Sequence, residues 1–353
     1  MVMIEAQALL TASPLQSARM AARPLTNAQL RRGLDLILAD WEETGSALAA
    51  LPELLTLTHR HRAFATQPGW RETARAHPIA ALLMQDPLTH AAWHRPPGEE
   101  SMAGLLDLVL DHPSAQAELA RATPTGLAVR LFLQGRESAV ALREQQQILA
   151  HAIDETVRRE AKPAILVLGG GHLRALERAA LADQATRILA IDPNEASLAV
   201  ARRDHGGLAT LETLRERPAR LIARPLRHGS FDLILVPGLL DLMGGFAGGV
   251  MGGAMGRAAA GRMVAALFSA LRPGGRLMLC GLARCIRCDG YMDAFMDWRP
   301  VLWQEDELAA VLDQAEGCEV AQRLVFRGGN GAMLHAVLRR RGQACGEASR
   351  RTV

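Results

Sequence analysis

Three consecutive glycines, Gly169, Gly170 and Gly171, follow a short apolar run and allow the backbone to approach a bound molecule closely. We expect them where a strand turns into a helix, with free N–H groups pointing outward. Asp192 ends the next apolar run, 21 residues beyond Gly171, where a carboxylate can accept both hydroxyls of a ribose. Leu173 occupies the place of the third glycine of a dinucleotide fingerprint. The pattern therefore predicts an adenosine-containing ligand without a diphosphate.

Two side chains are candidate catalytic groups, and each has a structural alternative. His172 directly follows the glycines. It either hydrogen-bonds the ligand's carboxylate or a substrate oxygen, or it caps the helix that the loop begins. Tyr291, the only tyrosine, either presents its hydroxyl to a substrate or buries its ring at the edge of the sheet.

Three further side chains are candidates for contact with the ligand or the substrate. Asp241 either holds an amino group of the ligand, orients the substrate or starts a helix. Trp298 either contacts the substrate or takes part in packing. Arg143 either meets a substrate carboxylate or lies on a solvated helix face, and only Lys162 among the 40 basic residues is a lysine, so single arginines carry little information.

The second half of the chain has the pattern of a parallel sheet covered by helices. Short apolar runs alternate there with amphipathic helices at βαβ spacing. The predicted strands are 165–168, 187–191, 231–236 and 276–280. Two further strands, 319–326 and 332–339, are joined by a glycine-rich turn and predict a closing hairpin.

The first half is predicted to be helical. Thr26 and Gln29 form a capping box ahead of a helix of about 15 residues. Further helical segments are predicted at 51–64, 70–84, 102–110 and 114–121, followed by a long helix that ends near Glu160. Glycine and proline breaks separate these segments.

These patterns predict four regions. They are a flexible arm over 1–23, a helical N-terminal domain over 24–140, a ligand-binding α/β domain over 141–341 and a flexible tail over 342–353. The stretch 244–261 is rich in glycine and contains Met251 and Met255. It is either a mobile lid over an apolar substrate or a disordered insertion.

Composition narrows the function classes. Apolar residues make up 49% and charged residues 22% of the chain, close to the average for soluble globular proteins. A net charge of +3 with seven Phe, five Trp and one Tyr does not favour nucleic acid as a partner. The longest apolar stretch is interrupted by charges, so no membrane span is expected.

The cysteines point to a reducing compartment. All five lie in the C-terminal third, and an odd number does not suit a disulfide framework. The first 23 residues lack a secretion signal, so we expect a cytoplasmic protein. Cys285 and Cys288 form a CxxC pair without a second pair, and no metal is expected.

The motifs together resemble the class I S-adenosylmethionine-dependent methyltransferases. After the glycines and Asp192, the stretch Phe231 to Gly238 and the Leu-Arg-Pro-Gly-Gly turn before the strand at 276–280 complete four motifs. The resemblance covers about residues 145–340. It implies an α/β fold, a Rossmann-like sheet of seven strands with an antiparallel last hairpin, and S-adenosyl-L-methionine as cofactor. By this resemblance Gly169 to Gly171 pass the methionine part of the cofactor, Asp192 holds its ribose, and Val236 to Leu239 line the cleft. The full set of predicted cofactor-binding residues is Gly169, Gly170, Gly171, His172, Asp192, Pro193, Val236, Gly238 and Asp241.

A narrower resemblance concerns the bacterial family that makes the 3-hydroxypalmitic acid methyl ester signal. Gly171-His172-Leu173-Arg174, the stretch Gly290 to Trp298 and the stretch Gln85 to Thr89 are similar to that family. Departures occur where the substrate is expected, for example at Leu240, where the family has a tyrosine. The predicted substrate-binding residues are Arg143, Asp241, Tyr291 and Trp298.

The expected function is methyl transfer to the carboxylate oxygen of a small or acyl acid, with a homodimer possible. A carboxylate is ionised at neutral pH, so no general base is required. Two alternatives stay open. One is an enzyme that reacts the aminocarboxypropyl arm of the cofactor and releases methylthioadenosine. The other is a non-catalytic cofactor-binding protein, suggested by Val167 and Leu173 at positions where many methyltransferases have an acid and a glycine.

Overall fold

The computed structural model describes residues 25–65, 68–94, 102–217, 220, 223–224, 227–238, 254–315 and 320–342, with side chains from residue 258 onward in the helix that begins at Ala254. The predicted arm at 1–23, Asp241 and the tail beyond Gly342 lie outside the described residues.

The first half of the chain is helical, and the second half contains both strands and helices. The α-helices are α1 (Asn27–Thr44), α2 (Ala47–Phe64), α3 (Trp70–Arg75), α4 (Ile79–Leu83), α5 (Pro87–Trp93), α6 (Ala103–Val109), α7 (Gln116–Leu119), α8 (Pro124–Gln134), α9 (Glu137–Arg159), α10 (Glu195–Asp204), α11 (Ala254–Ser269), α12 (Asp289–Phe295) and α13 (Glu305–Asp313). The strands are β1 (Ala164–Leu168), β2 (Arg187–Asp192), β3 (Leu211–Arg215), β4 (Phe231–Val236), β5 (Leu271–Leu282), β6 (Val320–Arg327) and β7 (Met333–Arg340).

Two compact units divide these elements, and each is assembled from separate stretches of chain. The helical unit comprises the stretch up to Trp93, Arg121–Phe132 and Arg287–Trp298. The sheet unit comprises His94–Ala120, Leu133–Ile286 and the stretch from Arg299 onward. The domain boundary expected between residues 140 and 141 stays a prediction, because the units follow spatial contacts and interleave along the chain.

The predicted capping box at the start of α1 is confirmed. The Thr26 hydroxyl accepts the N–H of Gln29, and the Gln29 side chain accepts the N–H of Thr26. The helix ends at Gly45 in the left-handed conformation, with φ of +64°, which glycine adopts without steric cost. Its buried face consists of Leu30, Leu34, Ile37 and Trp41. The single helix predicted over 70–84 is instead α3 and α4, because the His77-Pro78 step interrupts the pattern.

Helix α12 belongs to the helical unit although it lies far along the chain. The Asp289 carboxylate accepts hydrogen bonds from His59 and, at 2.9 Å, from Arg62 of α2. Asp293 lies one turn further along α12 and accepts from Arg71 of α3 at 3.1 Å. A Cβ at Gly290 would lie 2.2 Å from the backbone carbon of Thr58. Glycine therefore allows α12 to approach α2 closely.

The sheet unit contains one sheet of seven strands in the order β3-β2-β1-β4-β5-β7-β6. Strands β1 to β5 pair in parallel, and β7 pairs antiparallel with both β5 and β6. The predicted fold class is confirmed: an α/β sheet of seven strands with an antiparallel closing hairpin and a helical N-terminal region. The closing hairpin was predicted from its glycine-rich turn.

The two faces of the sheet carry different helices. One face packs its apolar side chains, such as Leu277 and Leu279, into a core with α11 and α13. Side chains alternate between faces along a strand, so Arg276 points to the other side, where it hydrogen-bonds Glu155 of α9. Helix α9 therefore covers the second face and ends just before β1.

Two features of the sheet unit differ from expectation. No α-helix follows β1, because the chain instead makes 3₁₀ turns at Leu176–Arg178 and Ala182–Gln184. Asp154 of α9 accepts the N–H groups of Ala180 and Leu181 in this segment, which satisfies backbone donors that a helix would have paired. Strand β3 was missed, because its charged, half-exposed residues at the sheet edge lack an apolar run.

The glycine-rich stretch 244–261 is described only in part. Residues 244–253 lie outside the described residues, but the remainder belongs to α11. A Cβ at Gly261 would lie 2.4 Å from the Gln314 side chain. The last part of the stretch therefore belongs to a helix that is packed at Gly261. The alternatives of a lid and a disordered insertion stay predictions for the rest.

Candidate functional site

The glycine loop, residues 169–173, follows β1 and has three left-handed residues. Gly169 has a φ of +67°, Gly171 of +57° and Leu173 of +60°. Glycine adopts such angles readily, whereas Leu173 is held there with its side chain buried. The Gly169 N–H donates to the Ile191 carbonyl at 2.9 Å, which ties the loop to β2.

Asp192 ends β2 beside this loop. One carboxylate oxygen accepts the Gly171 N–H at 3.2 Å and the other accepts the Asn194 N–H at 2.8 Å. Each oxygen of an ionised carboxylate has a further lone pair, so both can still accept a hydroxyl. Burial raises the pKa of Asp192 above its ordinary value, although the two N–H groups act in the opposite direction. The structure thus brings together the loop and the carboxylate that the sequence paired.

The side of Gly171 that a side chain would occupy is already filled by α6. A Cβ at Gly171 would lie 2.7 Å from the Cβ of Ala103, the first residue of that helix. At Gly170 it would meet the side chains of Val167 and Leu173, at 2.5 and 2.8 Å. Both positions require glycine for packing within the protein, so any ligand must approach the loop from another direction.

His172 does not cap a helix, since none begins at the loop. Its Nδ1 lies 2.8 Å from a carboxylate oxygen of Asp107 on α6, and its backbone carbonyl accepts a hydrogen bond from the His205 ring at 3.0 Å. The His172 side chain is 12% exposed, and Asp192 is among the carboxylates near its ring. The ring is therefore held by a carboxylate at the edge of the candidate site.

Asp107 belongs to a buried ion cluster that sequence reasoning missed. Arg174, with 1% of its side chain exposed, donates to both oxygens of Asp107 at 2.7 and 2.8 Å, and also hydrogen-bonds Glu177 and Asp204. The Ser114 hydroxyl donates to Asp107 at 2.7 Å. Burial alone would raise the pKa of Asp107, but the Arg174, His172 and Ser114 hydrogen bonds hold it well below its usual range.

The ends of β4 and β1 are adjacent, because these strands pair in parallel. Val236 is buried, and the carbonyl of Pro237 accepts a hydrogen bond from Gln145 of α9 at 2.6 Å. No atom lies within 4 Å of the Cβ position at Gly238. Gly238 therefore faces open space among the described residues, next to the glycine loop. Gln145, a buried glutamine on a polar helix, gave no signal in the sequence.

Pro193 and Arg143 also lie in the sheet unit. The Pro193 carbonyl accepts a hydrogen bond from Arg215 at 3.3 Å. Arg143 hydrogen-bonds both the side chain and the backbone carbonyl of Gln134, the last residue of α8, and donates to the Val109 carbonyl at the end of α6. Arg143 thus ties helix ends together, and its predicted contact with a substrate carboxylate stays a prediction.

Tyr291 and Trp298 belong to the helical unit. The Tyr291 ring is fully buried and tilted against Phe295, and its hydroxyl lies 2.8 Å from that of Thr89. Burial raises the pKa of Tyr291 well above its usual value, and Asp86 acts in the same direction. The ring is buried among helices and not at a sheet edge. Trp298 is half-buried, and its backbone N–H donates to the Met292 carbonyl.

Neither a metal site nor a membrane crossing emerges from these residues. Across the described ranges, no group of three histidine, cysteine or carboxylate side chains is placed to hold an ion. Of the helices in those ranges, none combines the length and apolar character that spanning a bilayer requires.

Comparisons with known proteins return similar structures but no relative by sequence. No family model matches the chain, and a search of curated proteins found no match. A protein described as a possible exported protein from Bordetella parapertussis is 16% identical, with a TM-score of 0.49, over 79% of this chain and 100% of its own. The CurJ carbon methyltransferase is 11% identical over 96% of both chains, with a TM-score of 0.47.

A third similar structure contains a bound nucleoside. The N-methyltransferase NodS from Bradyrhizobium japonicum WM9, in complex with S-adenosyl-L-homocysteine, is 17% identical over 66% of this chain and 99% of its own, with a TM-score of 0.39. Similarities this weak assign neither a reaction nor a substrate to this chain. The fold rests on the strand order described above.

Proposed function

We propose that this protein is an S-adenosyl-L-methionine-dependent methyltransferase whose acceptor is the carboxylate oxygen of a small or acyl acid. The observation that carries the cofactor assignment is the position of Asp192, a buried carboxylate beside the glycine loop at the end of β2. Ligands of open α/β sheets bind at the carboxyl ends of such strands. The acceptor follows from the resemblance to the methyl ester family.

The donor set at this edge of the sheet fits the cofactor. Asp192 retains one free lone pair on each carboxylate oxygen for the ribose hydroxyls. Gly238 leaves open space beside the loop, and the Pro237 carbonyl is fixed by Gln145. The remaining residues proposed to lie along the cofactor are Gly169, Gly170, Gly171, His172, Pro193, Val236 and Asp241.

When bound, the cofactor supplies an electrophilic sulfonium methyl group. This chain's own residues would hold the ribose through Asp192, keep the loop in its left-handed conformation and exclude water from the acceptor. An ionised carboxylate needs no base, so alignment and desolvation supply the rate. The single-turnover rate is therefore expected to be nearly flat between about pH 6.5 and 9.

Calorimetry with S-adenosylmethionine tests the cofactor assignment. Asp192→Ala is expected to weaken binding by about 1 to 3 kcal/mol, because charge-assisted hydrogen bonds to the ribose are lost. The matched control is Asp183→Ala, an exposed aspartate of the same unit, which should bind as wild type does. Unchanged affinity in the Asp192 variant would remove this residue from the site.

A glycine pair tests where the cofactor lies. Both Gly238 and Gly207 have no atom within 4 Å of the Cβ position, so valine at either should leave the fold intact. Gly238→Val is expected to weaken S-adenosylmethionine binding by about tenfold or more, since its side chain enters the proposed cleft, whereas Gly207→Val should not. Equal affinities would place the cofactor elsewhere.

The nucleoside product identifies the reaction. Incubation with S-adenosylmethionine and candidate acids, followed by mass spectrometry, should yield S-adenosylhomocysteine and a methyl ester. Methylthioadenosine would instead show that the aminocarboxypropyl arm reacts. Binding without any product would indicate a cofactor-binding protein.

A further inference from the structure

The hydrogen bond between Asp107 and His172 determines which ring nitrogen of His172 carries the proton. The Asp107 oxygen lies 2.8 Å from Nδ1. An ionised carboxylate only accepts hydrogen bonds, so Nδ1 must donate. The neutral ring then has its lone pair on Nε2. An Arg174 nitrogen also lies 3.5 Å from Nδ1, but the shorter contact with the carboxylate decides the tautomer.

The Asp107 carboxylate can only accept the hydrogen bond that it shares with His172. It already receives both Arg174 donors and the Ser114 hydroxyl, and all of these groups are donors. The ring is partly exposed, and among the described residues no hydrogen bond involves Nε2. The titratable and charged groups that surround His172 are Asp107 on α6, Arg174 on its own segment, Asp192 at the end of β2 and His205 after α10.

We propose that Asp107 is a positioning residue that holds His172 with Nε2 as a hydrogen-bond acceptor for a donor group of the bound small molecule. The nature of that molecule rests on the proposed function. Two groups could donate this hydrogen bond to Nε2: the ammonium group of S-adenosylmethionine and a hydroxyl of the acceptor. In the neutral ring Nε2 accepts and does not donate, so it pairs with a donor group. The contact between His172 and a ligand carboxylate that the sequence suggests would need the protonated ring and stays a prediction.

Nitrogen NMR of protein with labelled histidine tests the positioning without any ligand. The His172 signals are assigned by their loss in His172→Gln and read at a pH where the ring is neutral. The wild type is expected to show the proton on Nδ1 and the lone pair on Nε2. A proton on Nε2, or exchange between both forms, would overturn the proposal.

Two alanine variants separate positioning from the stability of the ion cluster. Asp107→Ala removes the acceptor of the Nδ1 proton, and His172 should then lose its single tautomer. Asp204→Ala removes another carboxylate from Arg174 but does not contact His172. It should keep the wild-type tautomer. A changed tautomer in both variants would show that Asp107 acts only through the cluster. The wild-type spectrum still tests the proposal if Asp107→Ala does not fold.

Binding and single-turnover measurements identify the donor. If the ammonium group is the donor, Asp107→Ala and His172→Gln both weaken S-adenosylmethionine binding about tenfold, while Asp204→Ala does not. If an acceptor hydroxyl is the donor, binding is unchanged and the single-turnover rate falls in the same two variants. Wild-type affinity and rate in both would overturn the role of Nε2. Failure of wild type to bind S-adenosylmethionine would refute the proposed function and leave the NMR result standing.

Discussion

Asp86 in the helical unit and Asp107 in the sheet unit are both buried aspartates, yet their surroundings shift their pKa values in opposite directions. Asp86 accepts hydrogen bonds from the hydroxyl and N–H of Thr89, at 2.7 and 2.8 Å, and from the N–H of Leu88. Burial outweighs these donors and the charge of Arg130, and it raises the pKa of Asp86. Asp107 contacts a guanidinium, and its pKa falls.

The contrast shows what a buried guanidinium that hydrogen-bonds both carboxylate oxygens adds to a buried carboxylate. At Asp86 the donors of the helix cap and the charge of Arg130 together leave much of the cost of removing the carboxylate charge from water. The Arg174 guanidinium offsets that cost at Asp107. Asp107 is therefore expected to stay ionised in the folded protein and to anchor α6 against the glycine loop, whereas Asp86 is the more readily protonated of the two.

The largest expected effect is the loss of the charged pair. Asp107→Ala should lower the free energy of unfolding by about 3 kcal/mol, the lower end for breaking a buried ion pair, because Arg174 retains Glu177 and Asp204. Asp86→Ala should cost only about 1 to 2 kcal/mol, as for a lost helix cap. Urea unfolding at neutral pH measures both, and equal costs would break the comparison.

A substitution in the glycine loop that pushes α6 away should also lower the stability of this region, without removing a charged group. Gly171→Val is expected to destabilise the fold by about 2 kcal/mol, because a branched residue would be strained at a φ of +57° and would collide with Ala103. Gly104→Val is the control, since its Cβ position has no neighbour within 4 Å. A fully stable Gly171 variant would show that α6 does not depend on this contact.

The pH dependence of stability should differ in sign between the two aspartates. The depressed pKa of Asp107 gives stability that is present above its unfolded value, near 3.9, and is lost as the pH falls toward the folded value. The raised pKa of Asp86 has the opposite effect on stability, because the folded state binds the proton more tightly than the unfolded state does. Stability from this group falls as the pH rises from about 4 through the folded pKa.

Asparagine variants isolate these two slopes. Asp107→Asn should remove up to about 1.4 kcal/mol per pH unit of acid destabilisation below pH 4, the effect of one proton. Asp86→Asn should gain stability relative to wild type as the pH rises from about 4 to 7. Urea unfolding across this pH range provides the test, and slopes of the same sign would contradict the assignment.

The smallest expected effect concerns the partner of Thr89. Tyr291→Phe should cost about 1 kcal/mol, the typical contribution of one hydrogen bond, since Thr89 retains its contact with Asp86. Thermal unfolding would detect it. Retention of S-adenosylmethionine binding and turnover is expected if the hydroxyl is purely structural, whereas lost turnover in a stable variant would support the catalytic role predicted for Tyr291.

The fold was predictable where chemistry and local pattern coincide. Strand β1, the three glycines and Asp192 at the end of β2 lie close together in the sequence, and the capping box of Thr26 spans only four residues. Such short-range patterns are visible without the fold. The missing helix after β1 was not predictable, because the left-handed Leu173 and the buried Arg174 resemble ordinary helix formers in sequence. The hydrogen bonds between Asp107 and Arg174 join residues 67 positions apart. In a chain with many arginines, no pattern singles out this one.

The position of α12 in the chain has a consequence for how the protein is made. Helix α12 packs in the helical unit, whose other helices come much earlier in the chain. Its Asp289 hydrogen-bonds His59 and Arg62 of α2, which lie 230 and 227 positions before it. At about 5 to 20 residues per second, a ribosome needs roughly 10 to 50 s to synthesise the intervening chain. During that interval α2 and α3 are exposed without the helix that completes their packing. The helical unit is therefore completed late in synthesis, and we expect its incomplete packing to leave the nascent chain open to aggregation during that interval.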